Sequence, residues 1–74
     1  MRVRLKYFGV LAEKMNCSSS TADIEEGTLL SNFLNDKKKS LDMKFKVAVN
    51  HKFVDEKILE ENDEIAFLPP FSGG

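Results

Sequence analysis

Apolar and charged residues alternate at the start of the chain, with Val3, Leu5 and Tyr7 on one side and Arg2, Arg4 and Lys6 on the other. A period of two predicts a half-buried strand over residues 2–8. Phe8 breaks the pattern, because parity puts it on the charged, solvent-facing side. Gly9 ends the strand, and Val10-Leu11-Ala12-Glu13-Lys14-Met15 predicts a short helix with Leu11 and Met15 at i, i+4. The Ser-rich residues 17–24 read as a second strand. Glu25-Glu26-Gly27-Thr28 reads as a turn into a helix, with Thr28 as its N-cap. Leu29, Leu30, Phe33 and Leu34 then form an apolar stripe at helical spacing, which is core patterning. That helix is expected to end near Lys39, where Lys37, Lys38 and Lys39 complement the C-terminal dipole.

Alternation returns at Phe45, Val47 and Val49, interleaved with Lys44, Lys46 and Ala48. Asn50-His51-Lys52 predicts a tight turn into a short strand at Phe53-Val54. Glu61-Asn62-Asp63 predicts a second turn, and Glu64-Ile65-Ala66-Phe67-Leu68 a last strand, ended by Pro69 because proline cannot donate to a ladder. The order is strand, short helix, strand, long helix, then three strands. If the first and last strands are central and parallel, the long helix crosses one sheet face. That arrangement is an α+β β-grasp (ubiquitin-like) fold with a mixed sheet of about five strands; the pairing is inferred by analogy, the order from the residues. The expected organisation is one domain over residues 1–68 and an extended tail over 69–74.

Parity also predicts a docking surface. With Val3, Leu5 and Tyr7 facing in, Phe8 faces out; with Ile65 and Phe67 in, Leu68 faces out; with Val49 and Val54 in, so does Phe53. Three large apolar groups near the exit of the tail make a patch of the kind that marks a protein interface.

Composition narrows the chemistry. A 74-residue chain that is 42% hydrophobic with six Phe can build one core. One cysteine, Cys17, cannot close an intramolecular disulfide, and no Cys/His cluster suggests a metal. Cys17 reads as a small semi-buried hydrophobe, and His51 as solvent-facing in its turn. Neither has the partners that a nucleophile–base pair needs, so side-chain catalysis is not expected. The net charge of −1 gives no general pull toward nucleic acid, and no aromatics interleave with Lys37-Lys38-Lys39 for base stacking. The acidic run Asp55, Glu56, Glu60, Glu61, Asp63 and Glu64 reads as a solvated loop able to steer a basic partner. The N-terminal stretch has no continuous apolar segment, and nothing approaches the roughly 18 apolar residues of a membrane span. The expected location is cytoplasmic, with no membrane partner.

What remains is the ending, Pro69-Pro70-Phe71-Ser72-Gly73-Gly74. Glycine makes up about 7% of average sequences, so a chance Gly-Gly terminus has odds of about 0.005. Without Cβ atoms, Gly73 and Gly74 let a partner approach the main chain closely, and the last carboxylate is as unhindered as a protein can offer. The two prolines stiffen the root into extended chain. A carboxylate is a poor acyl donor until its oxygen is converted to a good leaving group. Conversion to an acyl-adenylate does this, and a sulfur donor then yields a terminal thiocarboxylate. Six extended residues reach about 20 Å, enough to enter another protein's buried site.

These residues resemble a known family. The stretch Asn62-Asp63-Glu64-Ile65-Ala66-Phe67-Leu68-Pro69-Pro70-Phe71-Ser72-Gly73-Gly74 is similar to the ending of molybdopterin synthase small subunits, the MoaD-type sulfur carriers. Val47-Ala48-Val49-Asn50 resembles the family's strand before its Asn turn, and length and element order match throughout. The resemblance implies that Gly74 is adenylated by an E1-like enzyme using ATP, then thiocarboxylated. It implies that the tail inserts into the large synthase subunit, in a heterotetramer with two of each chain. There it supplies sulfur for the molybdopterin dithiolene, made from cyclic pyranopterin monophosphate. This chain would bind no cofactor, act as a non-catalytic donor subunit, and present Phe8, Phe53 and Leu68 to its partner. Asn62 stands where the family usually has Gly, and Phe71 where a smaller aliphatic residue is common. The alternatives are a carrier for thiamine or tRNA thiolation, a ubiquitin-like modifier conjugated through Gly74, and a plain interaction module with an incidental Gly-Gly. Pro69-Pro70 favours the molybdopterin reading, because thiamine-pathway carriers usually lack that pair.

Overall fold

The computed structural model describes residues 1–70. Strand β1 (Arg2–Tyr7) is followed by helix α1 (Val10–Met15), strand β2 (Ser19–Asp23), helix α2 (Leu30–Leu41) and strands β3 (Lys46–Val49), β4 (Lys52–Phe53) and β5 (Glu64–Leu68). The strands form one mixed sheet in the order β2-β1-β5-β3-β4, the α+β β-grasp arrangement. Strands β1 and β5 pair in parallel at its centre, with Leu5 opposite Ile65 and Tyr7 opposite Phe67. The other pairings are antiparallel.

The predicted parity puts the core on one side of this sheet. Val3, Leu5, Tyr7, Val49, Ile65 and Phe67 are buried there with Leu30, Phe33 and Leu41 of α2 and Leu11 of α1. Each such side chain contributes about 1.5–3 kcal/mol relative to exposure. Phe67 is the hub: its ring stacks on Tyr7 at 5.2 Å and meets the Phe45 edge at 5.4 Å. Lys37 is not simply a solvated helix-end charge. Its ammonium donates to the Tyr7 hydroxyl at 3.2 Å and lies 5.9 Å from the Tyr7 and Phe33 ring centroids.

Several boundaries differ from expectation, for non-local reasons. Thr28 is not the N-cap of α2; that position is Leu29, which makes no side-chain cap bond. The Thr28 hydroxyl instead donates back to the Glu25 carbonyl at 2.6 Å. The helix's first N–H groups are met by residues 56 and 57: Leu30 N–H donates to the Lys57 carbonyl, and Ser31 N–H to Glu56 Oε1 at 3.0 Å. A carboxylate supplied from elsewhere in the chain thus does the capping. Hydrogen bonds from Ser31 and from the Lys57 N–H hold the Glu56 carboxyl below its ordinary pKa. Helix α2 also runs past Lys39 to Leu41, ending at Asp42 in the left-handed region, with Lys14 Nζ donating to the Leu41 carbonyl at 3.0 Å. Strand β2 occupies only the middle of its predicted range.

The acidic run is not uniformly a solvated loop. Asp63 and Glu64 are buried. Asn50 and His51 both have positive φ, forming the tight turn between β3 and β4. From that turn Asn50 Nδ2 donates to Asp63 Oδ1 at 2.9 Å, while Glu64 N–H donates to Asn50 Oδ1 at 3.0 Å. Asp63 also accepts from the Glu60 N–H at 2.8 Å and pairs with Lys57 at 3.1 Å. Burial pushes the Asp63 carboxyl up, but the Asn50, Glu60 and Lys57 contacts outweigh it, and its pKa lies below the ordinary value. Asn62 takes the left-handed conformation expected of its turn, at φ 66°.

Candidate functional site

The tail leaves from the end of β5, the middle strand of the sheet. Its first residue is seated on glycine. Gly9, at φ 57° and ψ −134°, holds a backbone shape closed to other residues, and a Cβ there would stand 3.2 Å from Pro69 Cγ. The Phe8 N–H donates to the Phe67 carbonyl at 3.1 Å, prolonging the parallel ladder toward the end of β5. Gly9 therefore ends β1 and also supplies the bare surface on which Pro69 rests. Pro69 is half-buried and Pro70 exposed. Phe71, Ser72, Gly73 and Gly74 lie outside the described residues.

The sheet face opposite α2 carries the predicted patch. Register places Lys6, Ala66, Ala48 and Phe53 in one row across four strands, with Leu68 opposite Lys46 in the next. Phe53 is 69% exposed and Phe8 45% exposed. Leu68 departs from expectation: it lies on the open face by register but is half-buried beside the neighbouring strand. The floor between these groups is made by two alanines, Ala48 buried and Ala66 half-buried, which keep it flat. Parity had put both alanines on this side, but their role as a level floor depends on strand order, which the sequence alone does not give. Gly9 was read only as a strand breaker; its contact with Pro69 depends on β1 and β5 being parallel neighbours.

Charged groups border the patch on its inner side. Glu64, itself buried, pairs with Lys6 at 3.3 Å and with His51 Nε2 at 3.2 Å. His51 is exposed, as expected, yet it has a carboxylate in reach. Cys17 is half-buried and packs against the core, away from His51's turn. Among the described residues no group of three or more His, Cys, Asp or Glu could hold a metal. Among them too, no helix is long and apolar enough to cross a membrane. This arrangement can present main chain and an apolar surface to another protein.

Comparison with known proteins agrees with the geometry. The ThiS family model matches residues 5–74. No curated protein sequence matches significantly. Among solved structures, a putative molybdopterin converting factor subunit 1 from Pyrococcus furiosus superposes at TM-score 0.81 with 21% identity, covering 96% of this chain and 99% of that one. SAMP1 from Haloferax volcanii superposes at 0.80 with 20% identity, both chains covered in full. A chain of the complex of subunits 1 and 2 of the molybdopterin-converting factor from Helicobacter pylori gives 0.67 with 22% identity, again in full. At such identities these likenesses establish the fold. The family match extends through the Gly-Gly terminus, and the chain belongs to the ThiS family, the ThiS/MoaD-type ubiquitin-like sulfur carriers.

Proposed function

We propose that this chain is the small, sulfur-donating subunit of a molybdopterin synthase. An E1-like enzyme joins the Gly74 carboxylate to the α-phosphate of ATP, releasing pyrophosphate. A sulfur donor then displaces AMP, leaving a terminal thiocarboxylate. Docked on the large subunit in a heterotetramer with two of each chain, the tail delivers that sulfur to cyclic pyranopterin monophosphate. Hydrolysis of the spent acyl group restores the carboxylate. The large subunit supplies the catalytic side chains. Phe8, Phe53 and Leu68 form the docking surface, and Pro69 to Gly73 are the stalk that crosses the partner's channel. The chain works in the cytoplasm, where ATP and its partners are found.

One observation carries the reading: Pro69, at the root of the segment whose sequence ends in Gly73-Gly74, leaves the central strand over Gly9, at the rim of an apolar sheet face. The likeness to a chain of a complex between subunits 1 and 2 of a molybdopterin-converting factor supports a large-subunit partner. A modifier role is the second reading, favoured by the equally good superposition on SAMP1.

The test is reconstitution with ATP, the adenylating enzyme, a sulfur donor, the large subunit and cyclic pyranopterin monophosphate. The expected result is a dithiolene product, with the carrier returning to its original mass. Thiocarboxylate that forms but is never discharged by this substrate would move the chain to thiamine or tRNA thiolation. Adducts linked only to lysines would make it a modifier.

A further inference from the structure

The helix side of the sheet carries a second open feature beside the tail. A groove of about 390 Å³ is lined by Lys38, Met43, Lys44 and Phe45. Continuing the antiparallel register of β3 and β5, in which Lys46 faces Leu68, brings Phe45 alongside Pro69 and Lys44 alongside Pro70. The Phe45 ring leans on Phe67, so the groove opens on the α2 side, across the sheet from Phe8 and Phe53. Its floor is apolar and its rim cationic. Among the described residues, neither Lys38 nor Lys44 has an ion-pair partner.

The groove belongs to a larger charge separation. Lys14, Lys37, Lys38, Lys39 and Lys44 gather at the tail end of the fold, with Glu13, Asp36 and Asp42 among them. Glu25, Glu26, Asp55, Glu56, Glu60 and Glu61 lie at the other end, around the start of α2 and of β5. A net charge of −1 thus conceals a molecule that is basic where the tail leaves and acidic where it does not. Adenylation brings an anionic terminus up to a polyanionic nucleotide, and that approach is repulsive. A cationic collar at the base of the tail offsets the repulsion and favours a partner whose rim is acidic.

We propose that this groove is a second docking contact for the adenylating enzyme, and that it receives a carboxylate side chain set beside an apolar one. The apolar group packs on Met43 and Phe45 while the carboxylate pairs with Lys38 and Lys44. Held from both sides of the sheet, the tail enters the nucleotide site in one orientation. The docking rests on the adenylation step of the sulfur-carrier reading.

The experiment is ATP–pyrophosphate exchange with the adenylating enzyme, at low and high salt, for the natural chain, Lys38→Glu/Lys44→Glu and Lys38→Arg/Lys44→Arg. The Glu variant should lose about ten-fold in kcat/KM at low salt, with kcat preserved and the gap narrowing as salt rises. The Arg variant should behave like the natural chain, and thermal midpoints should agree, since both lysines are solvent-accessible. Equal kcat/KM for the natural and Glu chains at low salt would overturn the docking while leaving the sulfur-carrier reading intact. No exchange even with the natural chain would overturn both. Amide shifts at Met43 and Phe45 that differ between the full chain and one ending at Pro70 would make the chain's own last residues the occupant, and would also overturn it.

Discussion

The two ends of the sheet use different parts of the chain. At the turn end, side chains interlock: Asn50, Asp63 and Glu64 exchange hydrogen bonds between segments 13 and 14 residues apart, with Lys57 and the Glu60 N–H completing the cluster. At the tail end a proline rests on a glycine, a few apolar groups are left open, and Lys14 and Lys37 each donate a single hydrogen bond. Buried apolar packing fills the core, and the turn end adds buried hydrogen bonds to it. The tail end offers Gly9, open apolar groups and lysines, surface that the proposed handover of the terminus would use. A residue's effect on stability and its effect on function should therefore separate between the core face of the sheet and its open face.

The largest effect on folding should come from the hub. Phe67→Ala removes the ring shared by Tyr7 and Phe45 and should cost about 3–5 kcal/mol, measured by denaturant unfolding. Asp63→Ala should cost about 2–3 kcal/mol, because the Asn50 amide, the Glu60 N–H and the Lys57 ammonium all lose their acceptor. Gly9→Ala should cost about 1–2 kcal/mol, from positive φ and from contact with Pro69. If Gly9→Ala cost as much as Asp63→Ala, the contrast between the two ends would fail.

The same acid sharpens the comparison through pH. Its folded-state pKa is lowered, so the ionised form is the one the fold stabilises. That contribution is complete above the ordinary carboxylate value of about 3.9 and is lost as pH falls through the depressed value. The unfolding free energy should therefore drop on acidification in the natural chain. In Asp63→Asn the drop should be smaller, as read from urea titrations at neutral and acidic pH. The smallest effects on folding should come from the patch. Phe8→Asp and Phe53→Asp should each change stability by no more than about 0.5 kcal/mol, since both rings are exposed, while weakening binding to the large subunit by calorimetry. Unchanged affinity would move the interface elsewhere.

The strands and their faces were legible because each apolar alternation is set by burial on one side of one sheet, and a period of two survives any uncertainty in pairing. Phe8 and Phe53 could be placed outside for the same reason. What the sequence hid depended on contacts between distant segments. Thr28 has the right chemistry for a cap, yet Glu56 and Lys57 take over the helix start from across a loop. Asp63 and Glu64 sit in a run that looks solvated until the Asn50 turn closes over them. Leu68 has outward parity but is sheltered by its neighbours, and Gly9 acquires its second role only when β1 and β5 lie side by side. The chemistry expected of the tail rests on residue types alone, since it needs no fold beyond an anchor.

The most direct test of the central claim compares the natural chain with one lacking Gly74. Each is incubated with ATP, the adenylating enzyme and a sulfur donor, and both intact mass and thermal midpoint are recorded. The account predicts equal midpoints, and a mass gain equal to exchanging one oxygen for sulfur in the natural chain only. A thiolated product from the shortened chain, or a collapse of its midpoint, would contradict it.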